Sequence, residues 1–312
     1  RAIAEWPTES GPADYVLFVG LTPVAVIEAK RRNIDVSGAL QQAKRYSRTF
    51  KPSIETELPA KNWGGGGEYR IPFAFSSNGR PFLRQLATKS GIWFCDLRRS
   101  DNLGHPLDGW YTPEGLTALM KRDETWAHEQ LAQTPFNYRL LKVKRFRRIL
   151  FLVDRSALGV QAINAFKNTR MENLQSFAET FGIKELGEQT PDGDTAVHIA
   201  TVQGMVQRLL FAAEGATPPS VDQYDCIVVD ECHRGYLLDR ELSDSEMTFR
   251  GFDDYISKYR RVLDYFDAVK IGLTATPALH TTQIFGLPVY SYSYREAVID
   301  GVKASGLRGR GG

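Results

Sequence analysis

The stretch CIVVDECHRG, residues 226–235, places four apolar residues directly before Asp230 and Glu231. Similar apolar runs lie on both sides of it, namely ILFLVD, AVHIAT and VKIGLTAT, and they alternate with the helical patterns SALGVQAINAF and VQGMVQRLLFAA. Apolar strands that alternate with helices indicate a parallel sheet covered on both faces. Ligands of such sheets bind at the carboxyl ends of the strands, so the two acidic residues are candidate binding groups.

A different pattern fills residues 1–110, where the apolar runs YVLFV, VAVIEA, IPFAFSS and GIWFCDL are separated by Gly, Pro, Asn and Ser. This spacing predicts a small mixed-sheet α/β domain. Residues 111–145 are predicted to form a helical connector and residues 146–301 the parallel-sheet lobe. The Gly- and Arg-rich tail, residues 302–312, has no apolar period and is predicted to be disordered.

The bulk composition fits two globular domains, since 312 residues with 42% hydrophobic content can bury a core in each. The sequence has neither a long apolar run nor a signal-peptide pattern, which predicts a cytoplasmic protein without membrane contact. Three cysteines without metal-ligand spacing are expected to be reduced thiols. A net charge of +2 does not by itself indicate nucleic-acid binding, but LLKVKRFRR, residues 140–148, is a candidate phosphate contact.

Charged residues at the ends of two early strands suggest a metal site. Asp14 precedes YVLFV, and Glu28 and Lys30 close VAVIEAK. In a hairpin of these strands Asp14 lies opposite Glu28, and Lys30 shares a face with Glu28. Facing carboxylates suit Mg²⁺, and an ammonium can steady charge on a scissile phosphate. In the following helix Gln42 and Tyr46 project from one face. The alternative is a hairpin edge with solvated charges.

The runs ADYVLF, AVIEAKR and SSNGRPF, with the Gln42–Tyr46 pair, resemble the N-terminal PD-(D/E)xK nuclease domain in the R subunit of type I restriction-modification enzymes. The resemblance implies Asp14 and Glu28 as metal ligands and Lys30 as the catalytic lysine. It also implies Gln42 and Tyr46 as the accessory helix pair. The sequence departs from the family pattern before Asp14, where alanine replaces proline.

The second half is similar to superfamily 2 helicases and translocases. LVDRSALGVQA (152–162), IATVQ (199–203), DECH and GLTATP (272–277) occur in the order of that superfamily. The resemblance implies that Asp230 holds Mg²⁺ and Glu231 positions the hydrolytic water. His233, Thr274 and Thr276 would then couple the phosphate state to lobe movement. A lone acidic pair would equally fit a strand end before a helix cap.

In the same superfamily, the segments around Arg155, Thr201 and Gln203 lie along the DNA backbone. The alternatives are a surface charge for Arg155 and a helix N-terminal residue for Gln203.

A phosphate-binding loop, GxxxxGK[ST], is missing from the sequence. In the family this loop lies between the connector and ILFLVD, where residues 135–149 leave no room for it. A strand, the loop and a helix would need roughly 25 more residues. The sequence therefore predicts an internal deletion near Arg139–Leu140.

These observations predict a fragment of a type I restriction R subunit. Its expected chemistry is Mg²⁺-dependent cleavage of double-stranded DNA, with methyltransferase and specificity subunits as partners. ATP-driven translocation, the family's second activity, is expected to be lost together with ATP binding. One alternative is a non-catalytic DNA- or subunit-binding remnant, because losing a central strand would leave a hole in the sheet. Another alternative is a stand-alone superfamily 2 nucleic-acid ATPase.

Overall fold

The computed structural model describes most of the chain: residues 1–99, 101, 103–122, 141, 143–154, 156–168, 177–185, 190–212, 217–233, 252–275, 279–291, 293, 295–296 and 298–300. Two predicted site residues, Arg155 and Thr276, lie outside the described residues. The same holds for the predicted junction at residues 139–140 and for the tail at residues 302–312.

The first sheet is mixed, as predicted. Its strands follow chain order: β1 (Ala2–Trp6), β2 (Ala13–Val19), β3 (Thr22–Ala29), β4 (Phe73–Ser77), β5 (Ile92–Asp96) and β6 (His105–Leu107). Neighbouring strands are antiparallel, except that β3 and β4 are parallel. Strands β2 to β5 are the predicted apolar runs, whereas β1 and β6 were not predicted.

Two helices cover the faces of this sheet. Helix α1 (Val36–Arg48) begins after Asp35, whose side chain caps it by accepting a hydrogen bond from a backbone N–H, and it buries apolar residues against β2 and β3. Helix α2 (Pro113–Met120) begins with a proline in its first turn and packs on the other face through Leu116 and Leu119. The sequence assigned α2 to the connector, but its apolar side lies in the first core. A short 3₁₀ helix, Arg84–Lys89, precedes β5.

The second sheet is parallel throughout the described strands, and its order is β11-β10-β7-β9-β8. These strands are β7 (Ile149–Val153), β8 (Gly182–Lys184), β9 (Thr195–Thr201), β10 (Cys226–Val229) and β11 (Val269–Gly272). The helices are α3 (Ser156–Asn168), α4 (Phe177–Thr180), α5 (Val202–Leu210), α6 (Phe252–Tyr265) and α7 (Leu279–Phe285). Apolar clusters cover both faces of the sheet.

This architecture confirms the predicted fold class, a restriction-endonuclease-like mixed-sheet domain followed by a RecA-like parallel-sheet lobe. The described strands of the lobe pair continuously, so the hole expected for a non-catalytic remnant is not found among them. Each described strand hydrogen-bonds directly to the next, which leaves the free edges at β11 and β8. None of the helices in the described part of the chain is long and apolar enough to cross a membrane.

Two arginines of the basic segment before β7 have a structural role. The Arg147 guanidinium donates to the carbonyl of Asp222 at 2.8 Å, and that of Arg148 donates to the carbonyls of Thr195 at 3.0 Å and Asp192 at 2.7 Å. These hydrogen bonds tie the entry of β7 to neighbouring loops of the lobe. The two side chains therefore make hydrogen bonds within the lobe, and the phosphate contact expected for the whole segment stays a prediction.

Candidate active site and nucleotide edge

A chain of polar contacts joins the end of β3 to α1. The Lys30 ammonium lies 2.5 Å from Glu28 Oε1 and donates to Gln42 Oε1 at 3.0 Å. Gln42 Nε2 in turn donates to the Tyr46 hydroxyl at 2.7 Å. The structure thus brings four of the predicted nuclease residues into one connected network, with the ammonium at its centre.

Asp14 lies beside this network, as the strand register requires. Tyr15 pairs with Ile27 and Val16 with Val26, so the antiparallel register continues to Asp14 opposite Glu28. The Asp14 carboxylate also accepts a hydrogen bond from the backbone N–H of Ala29 at 2.7 Å. This contact fixes one of its oxygens at the end of β3.

The Glu28 carboxyl group is in an unusual environment. Its side chain is 2% exposed, and within the described part of the chain its Oε2 atom has no hydrogen-bond partner. Burial raises the pKa of Glu28, and the nearby Asp14 charge adds to this effect, while Lys30 and Arg45 oppose it. A buried carboxylate oxygen beside a second carboxylate fits a bound Mg²⁺, which prefers oxygen ligands. No cluster of three or more acidic, His or Cys side chains that could hold a metal occurs among the described residues, and at this site they provide the two carboxylates of Asp14 and Glu28.

The sequence pattern assigns no role to Ser76 and Asn78, although both belong to the SSNGRPF stretch. Asn78 is 4% exposed, and its amide nitrogen donates to the carbonyls of Ile34 and Lys89, each at 3.0 Å. Ser76, paired with Glu28 across the strands, donates to the carbonyl of Val36 at 2.5 Å. These bonds hold the loop between Lys30 and α1 against β4. The only sequence signal for Ser76 and Asn78 is that polar residues follow directly on the apolar residues of β4.

At the carboxyl edge of the second sheet, the DECH segment contacts the segment after β11. His233 Nδ1 lies 2.6 Å from the Thr274 hydroxyl and 3.3 Å from Glu231 Oε2. Asp230 Oδ1 accepts a hydrogen bond from the Glu231 backbone N–H at 3.0 Å. The Glu231 backbone has a φ of 48°, a left-handed conformation that is costly for a residue with a side chain. The structure thus brings Asp230, Glu231, His233 and Thr274 together.

Thr201 and Gln203 lie at the start of α5. The Thr201 hydroxyl caps this helix by accepting a hydrogen bond from the Gly204 backbone N–H at 3.0 Å. Gln203 is exposed in the first turn of the helix. The position of Gln203 fits the helix N-terminal alternative, and its side chain is accessible to solvent.

Two family models match the chain. Residues 1–120 match the second domain of the type I restriction enzyme EcoKI endonuclease subunit. Residues 133–279 match the res subunit of type III restriction enzymes. The first match covers the mixed-sheet unit, and the second covers most of the parallel-sheet lobe.

Whole-sequence similarity agrees with these matches. The chain is 42% identical to the EcoKI endonuclease subunit of Escherichia coli over 96% of its own length and 31% of that protein. It is 29% identical to the EcoAI endonuclease subunit of Escherichia coli over 94% of its length and 37% of that protein. The chain is therefore a relative of type I restriction endonuclease subunits, as its motifs predict, and it spans about a third of the length of these two proteins.

The alignment with the EcoKI subunit is longer than this chain. It extends over 371 aligned positions, whereas 96% of 312 residues is about 300, so about 70 aligned positions have no counterpart in this chain. Among solved structures, a fragment of an HsdR subunit of a type I restriction enzyme from Vibrio vulnificus aligns over 96% of this chain and 56% of that one. Its sequence identity is 20% and its TM-score 0.29, too low to support further argument.

Proposed function

We propose that the first unit of this chain cleaves DNA phosphodiester bonds with Mg²⁺. The observation that carries the proposal is the buried Glu28 oxygen without a hydrogen-bond partner among the described residues, next to Asp14 and the Lys30 ammonium. A buried carboxylate oxygen without a hydrogen-bond partner is costly, and a bound cation would offset that cost. Similarity to type I restriction endonuclease subunits supports the same reading.

In this proposal Asp14 and Glu28 hold Mg²⁺, which when bound would lower the pKa of a coordinated water and neutralise phosphate charge. The Lys30 ammonium would steady the negative charge that develops on the scissile phosphate. Gln42 accepts a hydrogen bond from Lys30 and donates one to Tyr46, so these two residues set the position of the ammonium. The ion pair with Glu28 holds that ammonium beside the carboxylate before DNA binds.

The test is nicking of supercoiled plasmid by the purified chain in Mg²⁺ and in chelator. We expect nicking only with Mg²⁺, and a loss of about 100-fold or more in Lys30→Ala, the size seen when one charge-stabilising donor is removed. Lys51→Ala, an exposed lysine of the same unit, is the matched control and should nick like the parent chain. Thermal unfolding of each variant separates lost chemistry from lost folding. Equal nicking by Lys30→Ala and the parent chain would refute the proposal.

For the lobe, we propose that the carboxyl edge of the sheet keeps the side chains of a nucleotide site but does not hydrolyse ATP. These side chains are Asp230, Glu231, His233 and Thr274. The reasoning is that the sequence has no phosphate-binding loop to hold the β- and γ-phosphates. ATP titrated into the chain with Mg²⁺ should give no saturable signal below millimolar concentration by calorimetry. Micromolar affinity would instead favour the stand-alone ATPase alternative.

The partners we propose are double-stranded DNA and the methyltransferase and specificity subunits of a type I restriction complex. Of the DNA contacts expected in the lobe, exposed Gln203 is the accessible candidate, while the Thr201 hydroxyl is engaged in capping α5. Such partners would place the protein in the cytoplasm. Copurification with tagged methyltransferase and specificity subunits tests this assembly.

A further inference from the structure

Three aspartates of the parallel-sheet lobe accept hydrogen bonds from the mixed-sheet unit. Asp267, just before β11, lies 2.9 Å from His105 Nε2 and accepts from the Tyr111 hydroxyl at 2.5 Å. Both partners belong to the first unit, His105 on β6 and Tyr111 just before α2. These side chains are more than 150 positions from Asp267 in the sequence.

Asp222 binds the amino end of α2. Its carboxylate accepts from the Thr112 backbone N–H at 3.0 Å and from the Thr112 hydroxyl at 2.5 Å. The approach is so close that a Cβ added to Gly115, in the first turn of α2, would lie 1.7 Å from Asp222 Oδ2. Glycine at this helical position therefore leaves room for the carboxylate.

Asp225 joins three parts of the chain. It accepts from the Arg122 guanidinium just after α2 and from the backbone N–H groups of Arg147 at 2.8 Å and Arg148 at 3.0 Å. The side chains of Arg122 and Asp225 are 14% and 11% exposed, so this pair is shielded from solvent. Shielded, hydrogen-bonded ion pairs are geometrically specific, and removing one partner leaves a buried charge.

The position of these aspartates relative to the strands gives them a common role. Asp225 directly precedes β10 and Asp267 precedes β11, whereas Asp230 and Thr274 follow the same two strands. A four-residue strand is about 13 Å long. The three carboxylates therefore lie on the amino-terminal edge of the sheet, opposite the nucleotide edge.

We propose that Asp222, Asp225 and Asp267 form a latch that docks the mixed-sheet unit on the amino-terminal edge of the lobe and leaves the carboxyl edge open. The surface of the mixed-sheet unit that contacts this edge consists of His105, Tyr111 and the residues at the two ends of α2. Burial alone would raise the pKa of Asp267. The hydrogen bond and charge of His105 and the hydrogen bond of Tyr111 outweigh burial and lower that pKa. The lowered pKa agrees with a contact that stabilises the ionised carboxylate. The latch does not depend on whether the first unit cleaves DNA.

The test uses Gly115→Ala in the full chain, because alanine favours the helix itself while its methyl group clashes with Asp222. In the parent chain we expect one calorimetric unfolding transition and a compact radius of gyration by X-ray scattering. Gly115→Ala should split the transition into two and increase the radius, with helix content by circular dichroism preserved.

A double-mutant cycle makes the test specific. Asp222→Ala should also loosen the units, and adding Gly115→Ala to it should cause little further change, because the clashing carboxylate is gone. Tyr111→Phe removes one hydrogen-bond donor to Asp267. This variant should lower the temperature at which calorimetry shows the two units coming apart. Asp192→Asn, an exposed aspartate that pairs within the lobe, is the control and should behave like the parent chain.

The proposal is overturned if the parent chain already unfolds in two transitions with an extended radius. It is also overturned if Asp222→Ala and Gly115→Ala both keep a single transition and the parent radius. The proposal is overturned as well if Gly115→Ala has the same effect in the parent chain and in Asp222→Ala, because its clash then does not involve the Asp222 carboxylate.

Discussion

Replacing Glu28 by glutamine should stabilise the chain in chelator and abolish its stabilisation by Mg²⁺. In chelator, the parent chain holds a 2% exposed carboxylate whose Oε2 has no hydrogen-bond partner among the described residues, and its raised pKa reports the cost of keeping it ionised. Glutamine removes that charge and can donate its amide N–H toward Asp14. Since an unsatisfied buried polar atom costs about 1–3 kcal/mol, we expect Glu28→Gln to be more stable than the parent chain by about 1 kcal/mol at pH 8.

The pH dependence follows from the direction of the pKa shift. A carboxyl group whose pKa is raised on folding stabilises the folded state below its ordinary value of 4.5, and that contribution is lost as the pH rises through the folded pKa. The advantage of Glu28→Gln should therefore vanish near pH 4 and grow toward neutral pH. Chemical denaturation from pH 4 to 8 in chelator measures the difference.

Addition of Mg²⁺ gives the opposite ranking. At 100 times its dissociation constant, a ligand specific to the folded state adds about 2.7 kcal/mol, or about 4 °C for a 312-residue chain that unfolds in one transition. The parent chain should show this shift and Glu28→Gln should not. Glu55→Gln, an exposed glutamate in the same unit, should respond like the parent chain. A Mg²⁺ shift retained by Glu28→Gln, or a variant less stable than the parent in chelator, would refute the reasoning.

Four further predictions address other parts of the chain. Asn78→Ala should cost about 2 kcal/mol in denaturant unfolding and reduce plasmid nicking, because the loop after Lys30 loses its buried amide donor. Glu231→Gly should stabilise the chain by up to about 1 kcal/mol, since glycine adopts positive φ freely, whereas alanine at that position should not. A Gly/Ser linker of equal length in place of residues 123–140 should preserve the single calorimetric transition. The stability that Asp267 contributes should be lost only as the pH falls below its ordinary pKa of 3.8, measured as the difference between the parent chain and Asp267→Asn.

Most of the fold could be predicted from apolar runs. Strands β2 to β5 and the core strands β7, β9 and β10 coincide with the runs read from the sequence. Strands β1, β6 and β8, with the sequences AIAEW, HPL and GIK, were not predicted. Strands β6 and β8 have only three residues with one large apolar side chain each, so their extended state depends on pairing with a neighbour more than on local propensity. Strand β1 is largely apolar but has no fully buried residue, and its pairing with β2 is what defines it.

The candidate site also has a part that could be predicted from the sequence, and the latch is a part of the structure that could not. The register of one hairpin was sufficient to predict that Asp14, Glu28 and Lys30 lie together, and helical spacing was sufficient to predict that Gln42 and Tyr46 share a face, because these relations are local. That the helix pair belongs to the same site was implied only by the family resemblance. The latch could not be predicted, since its donors and acceptors are separated by about 100 to 160 positions. Nothing in the local pattern around an aspartate before a strand indicates which distant N–H or O–H it will meet.

The contacts of Asp225 explain how two units of one chain could keep their arrangement when the sequence between them changes. Arg122 ends the described part of the first unit, and the backbone N–H of Arg147 begins the approach to β7, yet both donate to this one carboxylate. The ends of the connecting segment are thus fixed by hydrogen bonds within the folded units, and closing a longer or shorter loop between fixed ends changes the free energy only slowly with length. Loss of connecting residues, such as the deletion predicted near Arg139–Leu140, would then remove a nucleotide-binding segment without moving the carboxylate pair of the first unit. The cleavage proposed for the first unit would then not depend on ATP binding by the lobe.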